Sequence, residues 1–297
     1  MKKGGHIVVL RSRKKKRLNR SKAGTIFLTF ILILFGLFSI WPLVFTVCNA
    51  FKPLSEIFIF PPKLWVQNPT WDNFADLGQI MRSSWVPFSR YMFNTLIITV
   101  GGTIGHVLLA SMAAYPLAKH KMPGHKLLFS MIVLSLMFSN RVTGIPNYIV
   151  MSKIGLVDQY AALILPAFAY PLGLYLMKQF MEQIPDSLIE SGKIDGASEY
   201  RIYWQLIMPL VKPAWLTLII LVFQQLWGST GDQFLYSEQL KPLSYIFGQI
   251  VLGGKGGVAR SGVVAAAALI MIMIPMILFV LSQSRVIETM STSGMKE

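Results

Sequence analysis

The sequence is poorest in cysteine and in acids. Cys48 is the one cysteine among 297 residues, so no disulfide can form within the chain, and the redox compartment stays undetermined. Asp and Glu together number 13, and all charged residues make up 14%, against roughly 25% in a soluble domain. With 54% hydrophobic residues and a mean hydropathy of +0.54, such a chain cannot cover a water-facing surface with polar groups, and its natural solvent is lipid. No G-x-x-x-x-G-K-[ST] phosphate loop occurs. The glycine-rich stretch around Lys255 has no hydroxyl residue after the lysine and reads as a flexible loop. His6, His106, His120 and His125 form no metal-ligand pattern, and no catalytic constellation stands out. His106 falls within an apolar stretch, where it reads as an interhelical hydrogen-bonding group.

What is abundant is apolar sequence in long runs. Six stretches suit a spanning helix of roughly 20 residues: 25–48, 91–117, 127–145, 161–177, 214–227 and 261–282. The first is too long for a signal-peptide core and reads as a retained span. Acids are nearly absent from the six, which argues against an ion-coupled carrier. The net charge of +15 is concentrated before the first span, from Lys2 to Lys22. That placement reads as an inner-face anchor that can touch anionic lipid, not as a nucleic-acid groove. Both termini are then expected in the cytoplasm of a bacterial inner-membrane protein. The expected divisions are a basic tail at 1–24, a first span with its external segment at 25–86, a five-helix core at 87–282, and a tail at 283–297.

One inner-face segment, 182–213, differs from everything around it. Five of the 13 acids fall there: Glu182, Asp186, Glu190, Asp195 and Glu199. The first three are spaced by four, as on one helical face. Gly196 suits the left-handed turn that ends a helix. Ser198 suits an N-cap, with Glu199 at the positive helix end. Tyr200, Tyr203, Trp204 and Ile207 follow amphipathic spacing, and Pro209 should end the helix. The spacing predicts helix, glycine turn, helix. Physics alone leaves two readings open, a solvated interfacial loop and a knob that docks on a partner.

The segment resembles the EAA loop of ABC-importer permeases. Glu190 stands at the motif's glutamate, Gly196 at its glycine and Pro209 at its proline, with the spacing intact. Asp195-Gly196-Ala197 is similar to the Asp-Gly-Ala of the carbohydrate, maltose-type branch. Ser191 and Gly192 replace the two alanines, and Gly192 should weaken its helix by about 1 kcal/mol relative to Ala. Phe51-Lys52-Pro53, Ile145-Pro146, Gly155-Leu156, Leu165-Pro166 and the terminal Ser293-Gly294-Met295-Lys296 carry the likeness over most of 25–297.

That resemblance implies an all-α polytopic membrane protein with six transmembrane helices and a type-I importer permease core. Residues 182–213 would be the coupling loop, seated in a groove of an ATP-hydrolysing subunit, with Glu190, Ser191, Gly192, Asp195, Gly196, Ala197 and Pro209 as the coupling residues. The implied partners are a second permease, expected to be a different chain, two ATP-binding subunits and an extracytoplasmic sugar-binding protein. No cofactor is expected on this chain; ATP and Mg would be used by the partner subunits. The implied function is non-catalytic import of a sugar, an oligosaccharide by likeness to the branch. Lys255 would lie in an external loop that reaches toward the binding protein. Asn94, Gln224, Gln225 and Trp227 suit a sugar path by amide and aromatic chemistry, with helix–helix hydrogen bonding as the favoured reading. The rival readings are a secondary carrier acting alone, which needs no ATPase, and a membrane-embedded enzyme, whose turnover would survive loss of the loop's partner.

Overall fold

The computed structural model describes residues 22–82, 85–120, 122–252 and 260–293. It resolves into two units, 1–46 and 47–297. Among the described residues every regular element is helical. Helix α1 (Lys22–Phe51) begins in the first unit and ends in the second. It is apolar on all faces in sequence, as a lipid-embedded helix should be.

In the second unit, a single turn α2 (Leu54–Ile57) and an amphipathic helix α3 (Asp72–Arg82) follow. Asn73 on α3 caps the end of α1: its amide donates to the carbonyls of Ala50 at 3.0 Å and Lys52 at 2.7 Å. These are carbonyls that a helix end leaves without intrahelical partners. The carboxylate of Glu56 accepts from the backbone N–H groups of Gln67 and Asn68, which closes the segment between α2 and α3.

Helix α4 (Phe88–Lys119) is the central span. Its 32 residues reach about 48 Å, more than the ~30 Å hydrocarbon core. Around it lie α7 (Ala161–Phe168), α8 (Pro171–Glu182) and α11 (Lys212–Trp227). Gly102 and Gly105 admit Leu226 and Phe168 to spaces a Cβ would fill, the small-residue contact by which membrane helices pack. A further layer is formed by α12 (Leu243–Leu252) and α13 (Ser261–Ser293). Buried His106 on α4 meets the Phe168 carbonyl through Nδ1 at 3.2 Å, the interhelical bond expected of it.

By length and composition, four helices of the described residues can cross a membrane: 23–51, 88–119, 161–182 and 261–283. A pair of helices bent by 75°, α10 (Glu199–Leu210) followed by α11, is apolar enough only when taken together, as a broken span or a re-entrant loop. The third expected span, 127–145, is divided. Its residues belong to α5 (His125–Ser135) and α6 (Asn140–Lys153). The N–H groups of Leu136, Met137 and Phe138 turn back three residues, and extended Ser139 starts α6. The apolar run stops at Phe138, and the polar residues Ser139, Asn140 and Arg141 stand where the new helix begins. The fourth span is stepped at Ala169–Tyr170, where Pro171 can only begin a new helix.

Candidate functional site

The segment after α8 forms the expected hairpin. Pro185 precedes α9 (Asp186–Ile194), so Glu182 and Asp186 stand on different helices instead of sharing one face. Asp186 and Glu190 do lie on α9. The end of α9 is a Schellman turn: Gly196 N–H donates to the Lys193 carbonyl, and Ala197 N–H to the Gly192 carbonyl, both at 3.0 Å. Gly196 sits at φ +76°, which costs a residue with a Cβ roughly 1–2 kcal/mol. Ser198 caps α10 by accepting from the Arg201 N–H.

Helix α10 departs from the expected pattern in two ways. Residues Ile202–Ile207 form a π turn, in which Met208 N–H reaches the Tyr203 carbonyl. The inward face therefore consists of Ile202, Tyr203 and Ile207, while Tyr200 and Trp204 stay exposed. Pro209 also does not end the helix, which runs on to Leu210. A proline ring clashes with the carbonyl four residues earlier in an α-helix; the wider π turn displaces that carbonyl. The chain bends instead at buried Val211, where Trp215 Nε1 donates across the bend to the Met208 carbonyl at 3.1 Å.

The hairpin has an inner face and a bare tip. Ile189, Ile202, Tyr203 and Ile207 join one buried cluster with Tyr115, Met177 and Met181 of α4 and α8. Lys119 at the end of α4 pairs with Asp186 at 2.7 Å. Glu199 binds in two directions: Tyr115 Oη donates to one carboxylate oxygen at 2.8 Å, and Lys193 of α9 pairs with the other at 2.6 Å. His120 Nε2 lies 3.7 Å from that second oxygen. Deeper in, Tyr203 Oη and Ser111 Oγ are 2.6 Å apart. By contrast Glu190, Ser191, Asp195 and Gly196 are exposed, and Ile194 is 86% exposed. Among the described residues Glu190 has no ion-pair partner. Gly192 and Ala197 are half-buried beneath the tip.

At the opposite end of α4, Asn94 is fully buried. Its amide donates to the carbonyls of Gln239 and Lys241, both at 2.8 Å, and its oxygen accepts from Tyr160 Oη at 2.6 Å. The side chain fastens the loop between α11 and α12. Nearby, Tyr91 Oη donates to Glu238 at 2.8 Å, and Thr95 Oγ1 accepts the Leu243 N–H at 2.7 Å. Asp158, at φ +62°, clasps the same loop through the N–H groups of Tyr236 and Ser237 and the Ser237 hydroxyl. The Ser237 bonds, side chain first and then backbone, with the Tyr236 N–H, hold its carboxyl below its ordinary pKa of 3.8 against the opposing effect of burial. Trp227 is buried, donates to the Met271 carbonyl at 2.9 Å and stacks on Phe223. Gln224 and Gln225 are exposed on α11. Lys255 lies outside the described residues. Among the described residues no cluster of three His, Cys, Asp or Glu could hold a metal ion.

Sequence reasoning assigned Glu199 only to the helix dipole and did not reach Tyr115, Ser111 or Lys193. Their spacing gives half the signal, since 111/115 and 199/203 are both i, i+4 pairs. Which pair faces which is set by packing across the cluster.

The arrangement presents an exposed tip, at Glu190, Ser191, Ile194, Asp195 and Gly196, above a buried inner face. Comparison with known proteins agrees in kind. Over 245 residues the chain is 33% identical to Protein LplC of Bacillus subtilis (strain 168), covering 79% of each sequence. It is 28% identical to the polygalacturonan/rhamnogalacturonan transport system permease protein YtcP of the same organism, over 76% of this chain and 77% of the relative. It is 27% identical to the sn-glycerol-3-phosphate transport system permease protein UgpE of Yersinia enterocolitica, over 88% and 93%. The fold matches a chain of a bacterial ABC transporter involved in import of the acidic polysaccharide alginate, with a TM-score of 0.75 at 22% identity, over 90% of this chain and 99% of that one. Residues 106–289, more than half the chain and including the hairpin, match the family of binding-protein-dependent transport system inner membrane components. The chain belongs to that family, as a membrane permease of the ABC-importer kind.

Proposed function

We propose that this permease carries a sugar, an oligosaccharide, delivered by an extracytoplasmic binding protein, and that the hairpin at 182–213 is its joint to an ATP-hydrolysing subunit. The observation that carries the reading is the division of the hairpin into a buried inner face and the bare tip of Glu190, Ser191, Ile194, Asp195 and Gly196. Ile194 at 86% exposure, beside Glu190 with no ion-pair partner among the described residues, is well suited to a groove with an apolar floor and a basic rim. The sugar assignment draws its support from the polymeric-sugar permease among the relatives.

In this reading the tip and both termini lie in the cytoplasm, and the loop between α11 and α12 lies outside. A second permease, a different chain, completes the path, and two ATP-binding subunits use ATP and Mg; this chain performs no chemistry and binds no cofactor. Closure of the ATPase pair moves the tips, and the permeases alternate between inward-facing and outward-facing states. Gln224 and Gln225 are the path candidates that lie exposed on α11, and Lys255 stays a candidate contact for the binding protein.

The test is co-purification of the ATPase with the tagged permease, together with uptake of oligosaccharides. Glu190→Ala combined with Gly196→Pro should abolish ATPase retention and uptake. Full uptake by that double variant would sink the assignment.

A further inference from the structure

Both ends of α4 are tied to neighbouring segments by hydrogen bonds. At the inner end the ties form two rungs. Ser111 meets Tyr203 at 2.6 Å and Tyr115 meets Glu199 at 2.8 Å, so an i, i+4 pair on α4 faces an i, i+4 pair on α10. Glu199 extends the second rung to Lys193, one residue from the bare tip. At the outer end Tyr91 meets Glu238, Asn94 holds the Gln239 and Lys241 carbonyls, and Thr95 accepts the Leu243 N–H. At 100° per residue, positions 91 and 115 stand about 240° apart around α4, so its two ends tie through different faces. Between the two sets of ties, from Thr95 to Ser111, runs uninterrupted helix, about 24 Å at 1.5 Å per residue.

We infer that α4 is a rod that links the external loop 237–243 to the coupling hairpin, so that seating nucleotide below changes the exposure of that loop above. The inference rests on the importer reading, which supplies the motor at the hairpin. A helix hydrogen-bonded throughout its length transmits displacement only if both ends are fixed to what moves. The polar ties are suited to this, since they fix direction where apolar packing lets surfaces slide. The rod makes Tyr115 and Tyr91 positioning residues, each acting through one hydroxyl. Spatial connection alone does not establish coupling, so the test must measure it.

The experiment uses the assembled complex in lipid nanodiscs. The chain's one cysteine is replaced, Cys48→Ser, and exposed Gln239 becomes the reporter through Gln239→Cys. A bulky maleimide is applied with and without Mg, ATP and vanadate, which traps the motor. Trapping should change the labelling rate at position 239 by about fivefold, the lower end of ordinary coupling between sites. Tyr115→Phe, Ser111→Ala and Tyr91→Phe should each bring the two rates together, while ATPase retention and basal hydrolysis stay at the parent level. Tyr115→Phe and Tyr91→Phe combined should do no more than either alone, because both cut one line.

Labelling that responds to trapping equally in the parent and in the phenylalanine variants would overturn the rod, as would no response in a parent with vanadate-sensitive hydrolysis. Absence of any vanadate-sensitive ATPase from the complex would instead overturn the importer reading, and the rod with it.

Discussion

Gly173 of α8 lies directly against the imidazole of His106 on α4: a Cβ at 173 would stand 1.9 Å from Nε2. His106 cannot easily swing away, because its Nδ1 is held to the Phe168 carbonyl and its ring is fully buried. Gly173→Ala should therefore force α4 and α8 apart and destabilise the permease by about 1–3 kcal/mol, the usual cost of overpacking. Thermal unfolding in detergent would measure it. His106→Ala should be destabilising by itself yet compensate in the double variant, since it vacates the space. Additive effects of the two changes would show that they do not share this contact.

The hairpin contains two glycines with opposite expectations. Gly196 is left-handed, and Gly196→Ala should cost about 1 kcal/mol and loosen the turn that sets the tip. Gly192 is helical, and a Cβ there would meet Ile202 Cγ1 at 3.4 Å, an ordinary contact. Gly192→Ala should strengthen α9 by about 0.5–1 kcal/mol, the helix-propensity difference between the two residues. Retention of the ATPase during a salt-wash series would report both: lower for Gly196→Ala, equal or higher for Gly192→Ala. The opposite order would remove the turn from the coupling argument.

The hairpin was legible in sequence because each of its parts is local. A glycine after a helix, a serine before the next and Glu199 at that helix's start declare themselves within a few residues, and all three fell where expected; the shared face of Glu182 and Asp186 did not, because Pro185 parts them. The π turn was not legible, since Ile202 to Ile207 satisfy an amphipathic α pattern nearly as well and only packing selects between them. The division of the third span did leave a mark in the sequence, since the apolar run stops at Phe138 and Ser139, Asn140 and Arg141 follow at the start of α6. Asn94 was misleading in another way. Its amide chemistry suited a sugar, yet the groups that claim it come from residues 160, 239 and 241, far along the chain. Polar residues inside spans pair at long range, so their partners are the last thing a sequence shows.

Asp158 offers a pH test at the end of α4 opposite the hairpin. Its carboxyl titrates below 3.8 in the folded protein, whereas an unfolded Asp titrates near ~3.9. A depressed carboxylate contributes stability above the unfolded value and loses it as pH falls through the folded one. The clasp should therefore be unchanged from neutral pH down to about 4 and should open only below that, by the same linkage. Amide exchange of Tyr236 and Ser237, corrected for its intrinsic pH dependence, would follow it. Asp158→Asn tolerates the positive φ and can still accept the backbone bonds, so it should flatten the acid response while leaving neutral protection within about tenfold. A clasp that opens near pH 6 would mean that another group controls it.

The four residues suggested for the sugar path divide by structure into two fasteners and two exposed amides, and kinetics can separate them. Asn94→Ala leaves the carbonyls of Gln239 and Lys241 and the Tyr160 hydroxyl without their shared partner, a loss of about 1–3 kcal/mol for each buried group left unsatisfied. Its expected result is less folded permease and a lower maximal uptake rate, with the KM for sugar unaltered in the protein that survives. Trp227→Phe should behave likewise, because it deletes the bond to the Met271 carbonyl and keeps most of the ring. Gln224 and Gln225 are exposed and can change without disturbing the fold. If sugar passes them, Gln225→Ala or Gln224→Ala should alter KM or selectivity at unchanged expression, by about tenfold where a bound hydroxyl loses its amide. Uptake assays on the four single variants, normalised to permease in the membrane, give the comparison. A selectivity change in Asn94→Ala with normal folding would move that residue from the scaffold into the path.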